Sequence, residues 1–451
     1  MARDVSVDLG RVDWSESRSG SLRPSEFAHG KMGQIQLTRN PTELAYEVVA
    51  RCRRLATFSE DAAGLRRTFL SPPMQGVHRE IADWLDQLDV HAWIDAAGNL
   101  RGLYTGTNPS APRLLIGSHL DTVPHAGAFD GILGVVIGVA LLEALGTKRF
   151  PYAIEIVGFS EEEGVRFGVP FIGSRALIGR VDEELLSRKD ANGICVREAI
   201  SNFGLNVSEI ANAVVHDVFA YLEFHIEQGP VLESSRRSLG AVEAIAGQTR
   251  MEFVFGGRSN HAGTTPMDHR FDAMAGAAEW ITIVERTAKN MSGLVATVGS
   301  VETKPGATNV IAGEARLSLD VRHGSDEIRQ TAVDKLVREA EEICKRRGLS
   351  VHSNTRVDQP AVVMDSVLTQ QIESAVTRSG CEPLRMVSGA GHDAMILAEK
   401  VPSSMIFLRT PGGISHDPAE SVSVEDVAKA IECGLHLLSQ FAAHPRFQTR
   451  T

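Results

Sequence analysis

GSHLDTVPHAGAFDG, residues 117–131, followed at residues 159–164 by FSEEEG, sets His119, Asp121 and Asp130 beside a run of three glutamates, Glu161, Glu162 and Glu163. The segments leading into these stretches, RLLIGSHLD (113–121) and YAIEIVGFS (152–160), are apolar and β-branched enough to be buried strands of a parallel sheet. Between them GILGVVIGVALLEALGT (131–147) reads as a buried helix, so strand, turn, helix and strand make one βαβ unit. Ligands bind at the carboxyl ends of the strands in open α/β sheets, which puts the imidazole and the carboxylates on one rim.

Such a rim is suited to metal chemistry. Neutral imidazole and carboxylate bind Zn²⁺ or a similar divalent ion, and a carboxylate can bridge two ions roughly 3.5–4 Å apart. Asp130, in a Gly-flanked turn, is the bridging candidate. Asp121 lies two residues from His119, where strand alternation puts both on one face; it is expected to accept the other imidazole N–H and fix the tautomer. Of the consecutive glutamates, one would ligate and a neighbour would act as general base. Further histidines sit in Gly-rich, turn-like settings: His225 in HIEQGP, His261 in GGRSNHAGTTPMDHR, His392 in SGAGHDA and His416 in GGISHDPAE. Singly, each reads as structural or solvent-exposed more readily than as a ligand.

In combination and in this order, from about residue 41 to 440, these motifs resemble the M20 metallopeptidase clan. Within it they resemble the hydantoinase/carbamoylase branch, which holds N-carbamoyl-L-amino acid, allantoate and ureidoglycolate amidohydrolases and β-ureidopropionases. The resemblance implies an α/β fold: a dinuclear-zinc exopeptidase-like catalytic domain with a central, mostly parallel sheet, and an inserted α+β dimerisation (lid) domain. It makes His119, Asp130, Glu163, His225 and His416 the ligands of two divalent ions, Zn or else Mn, Co or Ni, with Asp130 bridging and Glu162 as base. The triple glutamate leaves Glu161 with Glu162 as the alternative pair. Peptidase and deacylase members of the clan generally carry a carboxylate where His225 stands. Gln228 would touch substrate, whereas Glu227 reads as an ordinary strand-end carboxylate.

The resemblance also assigns His261, Asn309 and Arg322 to substrate binding from the lid, and Gly389, Ala390 and Gly391 to the pocket wall. His392 reads equally as pocket or as structure, and His125 matches no ligand position. Read alone, Arg322 is as readily a solvated charge at a strand end. The implied reaction is hydrolysis of a ureido (carbamoyl) C–N bond in a small carboxylated substrate. Glu162 would take a proton from water between the ions, Asp121 would support the site, His261 would steady the oxyanion and Arg322 would orient the substrate carboxylate. His261 is expected to complete the site of the other subunit in a homodimer. An M20-type aminoacylase or peptidase, or a non-catalytic relative that binds a small acid, are the alternatives.

At 451 residues the chain exceeds a typical single domain, and its 43% hydrophobic and 23% charged residues are ordinary for a globular protein. A net charge of -11 without a basic run argues against a nucleic-acid partner. No apolar stretch reaches membrane-helix length, the longest being the helix within 131–145. Five widely spaced cysteines, 52, 195, 344, 381 and 433, read as reduced thiols of a cytoplasmic protein. Residues 1–40 are polar, lack a signal-peptide core and are expected to form a disordered or loosely attached extension. After HIEQGPVLE the pattern changes: a strand at 241–257, a helix at 270–290, two strands within 294–322 and a helix at 325–348 opening on a Ser cap. These assign residues 237–352 to the inserted domain, and 41–236 with 353–451 to the catalytic domain.

Overall fold

The computed structural model describes residues 37–443. In chain order its strands are β1 (His91–Ile94), β2 (Leu100–Tyr104), β3 (Arg113–His119), β4 (Ala153–Phe159), β5 (Val218–Ile226), β6 (Leu239–Ile245) and β7 (Gly247–Gly256). There follow β8 (Val295–Thr297), β9 (Val301–Lys304), β10 (Glu314–His323), β11 (Ser350–Gln359), β12 (Val362–Val363), β13 (Arg385–Ser388) and β14 (Ser403–Leu408).

The apolar runs form the centre of a nine-stranded sheet of order β1-β2-β4-β3-β5-β14-β6-β12, with β13 beside β6. The four central strands β4, β3, β5 and β14 run parallel. They are buried on both faces because helices cover both, which is why they read as continuous apolar runs. The crossover between β3 and β4 is the expected helix, Ile132–Leu145, with every residue buried. It lies against β3 and β5 on one side and the helices Pro41–Leu55 and Val424–Ala443 on the other, so it has no need of a polar face.

A second, wholly antiparallel sheet of five strands has the order β11-β7-β10-β8, with β9 also on β10. The helices Ala273–Asn290 and Asp326–Arg347 close one face over Phe253, Phe255, Trp280, Leu317 and Leu336. Its strands span 247–359, so the expected 237–352 is displaced at both ends. The run 241–257 is two strands broken at Ala246. The first of them, β6, pairs with β14 and β13 in the larger sheet. Both halves are apolar, and only their pairing separates them. At the other end β11 is mostly exposed and polar, so its residues beyond 352 gave no strand signal. Residues 294–323 hold three strands, β8, β9 and β10, instead of two.

Residues 1–36, most of the expected extension, lie outside the described residues. The end of that segment is fastened: Thr38 N–H donates to Ala144 O (3.0 Å), Thr38 Oγ1 donates to Glu143 O (2.7 Å), and Asn40 caps the helix Pro41–Leu55 by accepting from Thr42 N–H. Among the described residues no helix is long and apolar enough to cross a membrane, and all five cysteines are free.

Candidate metal centre

β3 ends on His119, and the neighbouring β5 carries His225 one residue before its end. His119 Nδ1 lies 3.0 Å from Asp121 O and His225 Nδ1 2.9 Å from Ile226 O. A carbonyl only accepts, so both rings hold their proton on Nδ1 and keep a lone pair on Nε2. The two Nε2 atoms face each other at 3.4 Å, and Asp130 Oδ1 lies 3.3 Å from that of His225. Acceptors that face one another this closely repel unless a cation lies between them, and N and O donors of this kind suit Zn²⁺. Asp130 Oδ2 is 3.2 Å from His416 Nε2, which lies 3.8 Å from Glu163 Oε1. Among the described residues four groups of donors could hold an ion: His119–Asp130–His225 and Asp130–Glu163–His416, which share Asp130, and beside them His119–Glu162–Glu163 and Glu223–His225–His392. Gly131 permits this closeness: at φ 68° it opens the crossover helix, and a Cβ there would meet the His119 ring at 2.4 Å.

The surrounding charge is strongly acidic. Burial, then Glu163, Asp393 and Asp121, push the Glu162 carboxyl well above its usual range. Burial, then Asp130 and Asp121, take Glu163 to about 8. Burial works against ionisation of Asp130, but the His416, His225 and His119 imidazoles outweigh it and hold the carboxyl below the ordinary range. Its hydrogen bond with Asp130 raises His416 to about 9 against the opposing effect of burial, while burial lowers His119 to about 4. So many buried carboxylates in one place call for positive charge.

Asp121 departs from expectation. Its main-chain carbonyl, not its carboxylate, receives the His119 N–H; Oδ1 stands 3.7 Å from Nδ1. β3 ends at His119, so the strand alternation no longer applies two residues on. The carboxylate instead accepts the backbone N–H groups of Glu162 (2.9 Å) and Glu163 (3.0 Å), fixing the turn that presents both glutamates. Glu161 points elsewhere: its Oε1 accepts from Arg166 N–H at 3.3 Å.

Glu162 and Glu163 line a cleft of about 370 Å³ with His119, Asp130, His225, His416, Gln228, Arg322 and the segment Gly389–His392. Gln228, at φ 58°, donates Nε2–H to both Asp130 oxygens (3.2 and 3.1 Å). Glu227 accepts from Val231 and Leu232 N–H, the ordinary capping role. Arg322 forks onto Asp320 (2.9 and 3.0 Å) and donates to Gly389 O (2.7 Å), which leaves two of its five N–H donors. His392 is buried with its Nε2 2.8 Å from Ser388 Oγ and its ring edge-on to His225, while His125 is exposed and joins no metal group.

His261 and Asn309 lie outside the lining of this cleft. Ala262 N–H donates to Asn309 O, and both side chains are exposed. His261 Nδ1 accepts from Gly263 N–H (3.1 Å) and Thr264 N–H (3.2 Å), so its proton sits on Nε2. Glu420 had no sequence signal beyond its place four residues after His416. It accepts from Phe129 N–H (2.9 Å), Asp130 N–H (3.0 Å) and Ser415 Oγ–H (3.2 Å), and so clamps the turn that carries Asp130.

The model of peptidase family M20/M25/M40 matches residues 115–440. Allantoate deiminase 2 of Glycine max is 36% identical over 437 residues, covering 89% of this chain and 90% of its own. An N-carbamoyl-L-amino acid amidohydrolase of Geobacillus stearothermophilus is 38% identical, covering 80% and 90%. The crystal structure of a hydantoinase/carbamoylase family amidase from Burkholderia multivorans superposes with a TM-score of 0.84 at 30% identity, covering 89% of this chain and 98% of that one. The chain belongs to peptidase family M20/M25/M40, among its hydantoinase/carbamoylase amidases.

Proposed function

We propose that the chain is a metal-dependent amidohydrolase that cleaves the ureido C–N bond of a small carboxylated substrate, such as an N-carbamoyl-L-amino acid or allantoate. The observation that carries this reading is the pair of facing Nε2 lone pairs beside a carboxylate shared with a second ligand group, in one cleft with the Arg322 guanidinium. The relatives named for allantoate and for N-carbamoyl-L-amino acids support the substrate class.

In this reading His119, Asp130 and His225 hold one divalent ion and Asp130, Glu163 and His416 a second. Zn²⁺ suits these ligands best, and Mn, Co or Ni are alternatives. Bound ions would polarise the ureido carbonyl and lower the pKa of water toward neutrality. Glu162 takes the proton from the attacking water and returns it to the leaving nitrogen. Its burial keeps that proton from solvent and raises its affinity for it. Asp121 holds Glu162 and Glu163 through their backbone N–H groups. The free donors of Arg322 clasp the substrate carboxylate, with Gln228 and the Gly389, Ala390 and Gly391 backbone against the rest. Cleavage releases a carbamate, which decomposes to ammonia and carbon dioxide.

His261, with Asn309 of the same loop pair, is supplied by a second copy of the chain in a homodimer paired through the five-stranded unit; Ala262 N–H donates to the Asn309 carbonyl. There the Nε2–H donates to the developing oxyanion. The free thiols suit a reducing, cytoplasmic setting. The test is ammonia release from carbamoyl amino acid, allantoate, ureidoglycolate and 3-ureidopropionate, after chelation and after each metal is restored. Undiminished hydrolysis by metal-free protein would end the reading.

A further inference from the structure

β7 lies between β11 and β10 in the smaller sheet, and the register sets Gln248 opposite Gln359 on one side and Arg322 on the other. Directly opposed residues of antiparallel strands share a face, so Gln359, Gln248 and Arg322 form a row across three strands. Strand spacing makes this row roughly 10 Å long. All three side chains line the metal cleft.

The row is polar and incompletely paired. Gln248 Nε2–H donates to Gln359 Oε1 at 2.6 Å, but Gln248 Oε1 is buried without a partner. Gln359 Nε2–H has the Met395 thioether at 3.6 Å, a weak acceptor. A buried carbonyl oxygen left unmatched in a cleft wall is explained when a bound molecule brings the missing N–H. At the far end of the row Arg322 lines the same cleft and has two N–H donors left over.

Resting on the amidohydrolase reading above, we propose that the Gln248–Gln359 pair reads the substituent on the carbon that bears the substrate carboxylate, and that the preferred substrate carries a second ureido group there, a diureido acid of the allantoate kind. With the carboxylate at Arg322, that substituent falls along the row. A ureido group donates N–H to Gln248 Oε1 and accepts from Gln359 Nε2–H. An apolar side chain offers neither, and leaves the buried Gln248 carbonyl without a partner. A site built to hydrogen-bond one group discriminates strongly against an analogue that lacks it.

The experiment is kcat/KM by ammonia release on allantoate and on N-carbamoyl-L-leucine, for the metal-loaded protein and its Gln248→Leu and Gln359→Leu variants, with metal content measured to confirm an intact centre. The unmodified protein is expected to favour allantoate by about a hundredfold or more. Gln248→Leu should reduce that ratio about tenfold or more, and Gln359→Leu should shift it in the same direction. Should Gln248→Leu fail to fold, the ratio in Gln359→Leu decides. A ratio unmoved in the folded variants, or a protein that prefers N-carbamoyl-L-leucine, overturns the proposal while leaving the amidohydrolase reading standing. Absence of hydrolysis on both substrates overturns both.

Discussion

The rim of the nine-stranded sheet and the loop beside the five-stranded one both present histidines with one ring nitrogen tied to the main chain, and the outcome is opposite. At His119 and His225 the backbone offers a carbonyl to Nδ1, so the buried Nε2 edge that each ring turns toward the other is a lone pair. At His261 it offers two N–H groups, so the exposed edge is a donor. The former suits a cation and the latter an oxyanion. The same side chain is thus set to opposite tasks by whether a strand end or a turn lies beneath it.

The comparison is broken most completely at Asp130, which belongs to both of the groups assigned an ion above. Asp130→Ala should strip the metal and reduce hydrolysis to background, as measured by elemental analysis beside ammonia release. A variant that keeps both its metal and its turnover would remove the shared carboxylate from the centre. The next largest effect separates base from ligand. Glu162→Gln should keep its metal and lose ~10²–10⁴-fold in kcat, whereas Glu163→Gln should lose metal first. The reverse pattern would exchange their roles.

At His261 the tautomer argument predicts a loss of ~10²–10³-fold in kcat for His261→Ala, the usual cost of removing one oxyanion donor. Metal content should not change. Since His261 is absent from the lining of its own chain's cleft, mixing this variant with Glu162→Gln should restore activity. Random assortment of subunits leaves roughly a quarter of sites without either lesion in a two-fold dimer. Subunit exchange confirmed by mass spectrometry, with a mixture that stays inactive, would mean that His261 acts within its own chain or not at all.

What the sequence disclosed follows the same division. β3, β4 and the helix between them were legible because each is apolar along nearly its whole length, and burial on two faces leaves that mark. His119, Asp130 and the glutamates were legible because they cluster at the ends of those runs. The break at Ala246 was not, since pairing alone separates β6 from β7. Nor was the Gln248–Gln359 pair, which depends on a register between residues more than a hundred positions apart and on a strand, β11, whose residues alternate only between exposed and half-buried. Glu420 was hidden for a further reason: it acts on the backbone of residues 129 and 130, and contacts with main-chain groups leave no trace in the partner's side chains.

The smallest of these effects concerns Asp121, where strand alternation pointed to the imidazole and the structure points to the glutamate turn. Asp121→Asn keeps size and shape but leaves one oxygen to accept where two accepted before, and sets an amide N–H₂ against a backbone N–H. One of the Glu162 and Glu163 amides then loses its partner, and the turn shifts. His119 should be untouched, since its Nδ1–H is held by the main-chain oxygen of residue 121, which the substitution leaves in place. Were the carboxylate acting on His119, the substitution would weaken the His119–Asp130–His225 group. Acting on the turn, it should instead weaken the group that contains Glu163 and slow the step served by Glu162, by ~10–100-fold in metal affinity or activity. Competitive chelation resolved into two binding steps distinguishes these cases. Loss confined to the step that Glu163→Gln also weakens supports the turn, and loss at the step weakened by His225→Ala would return Asp121 to the imidazole.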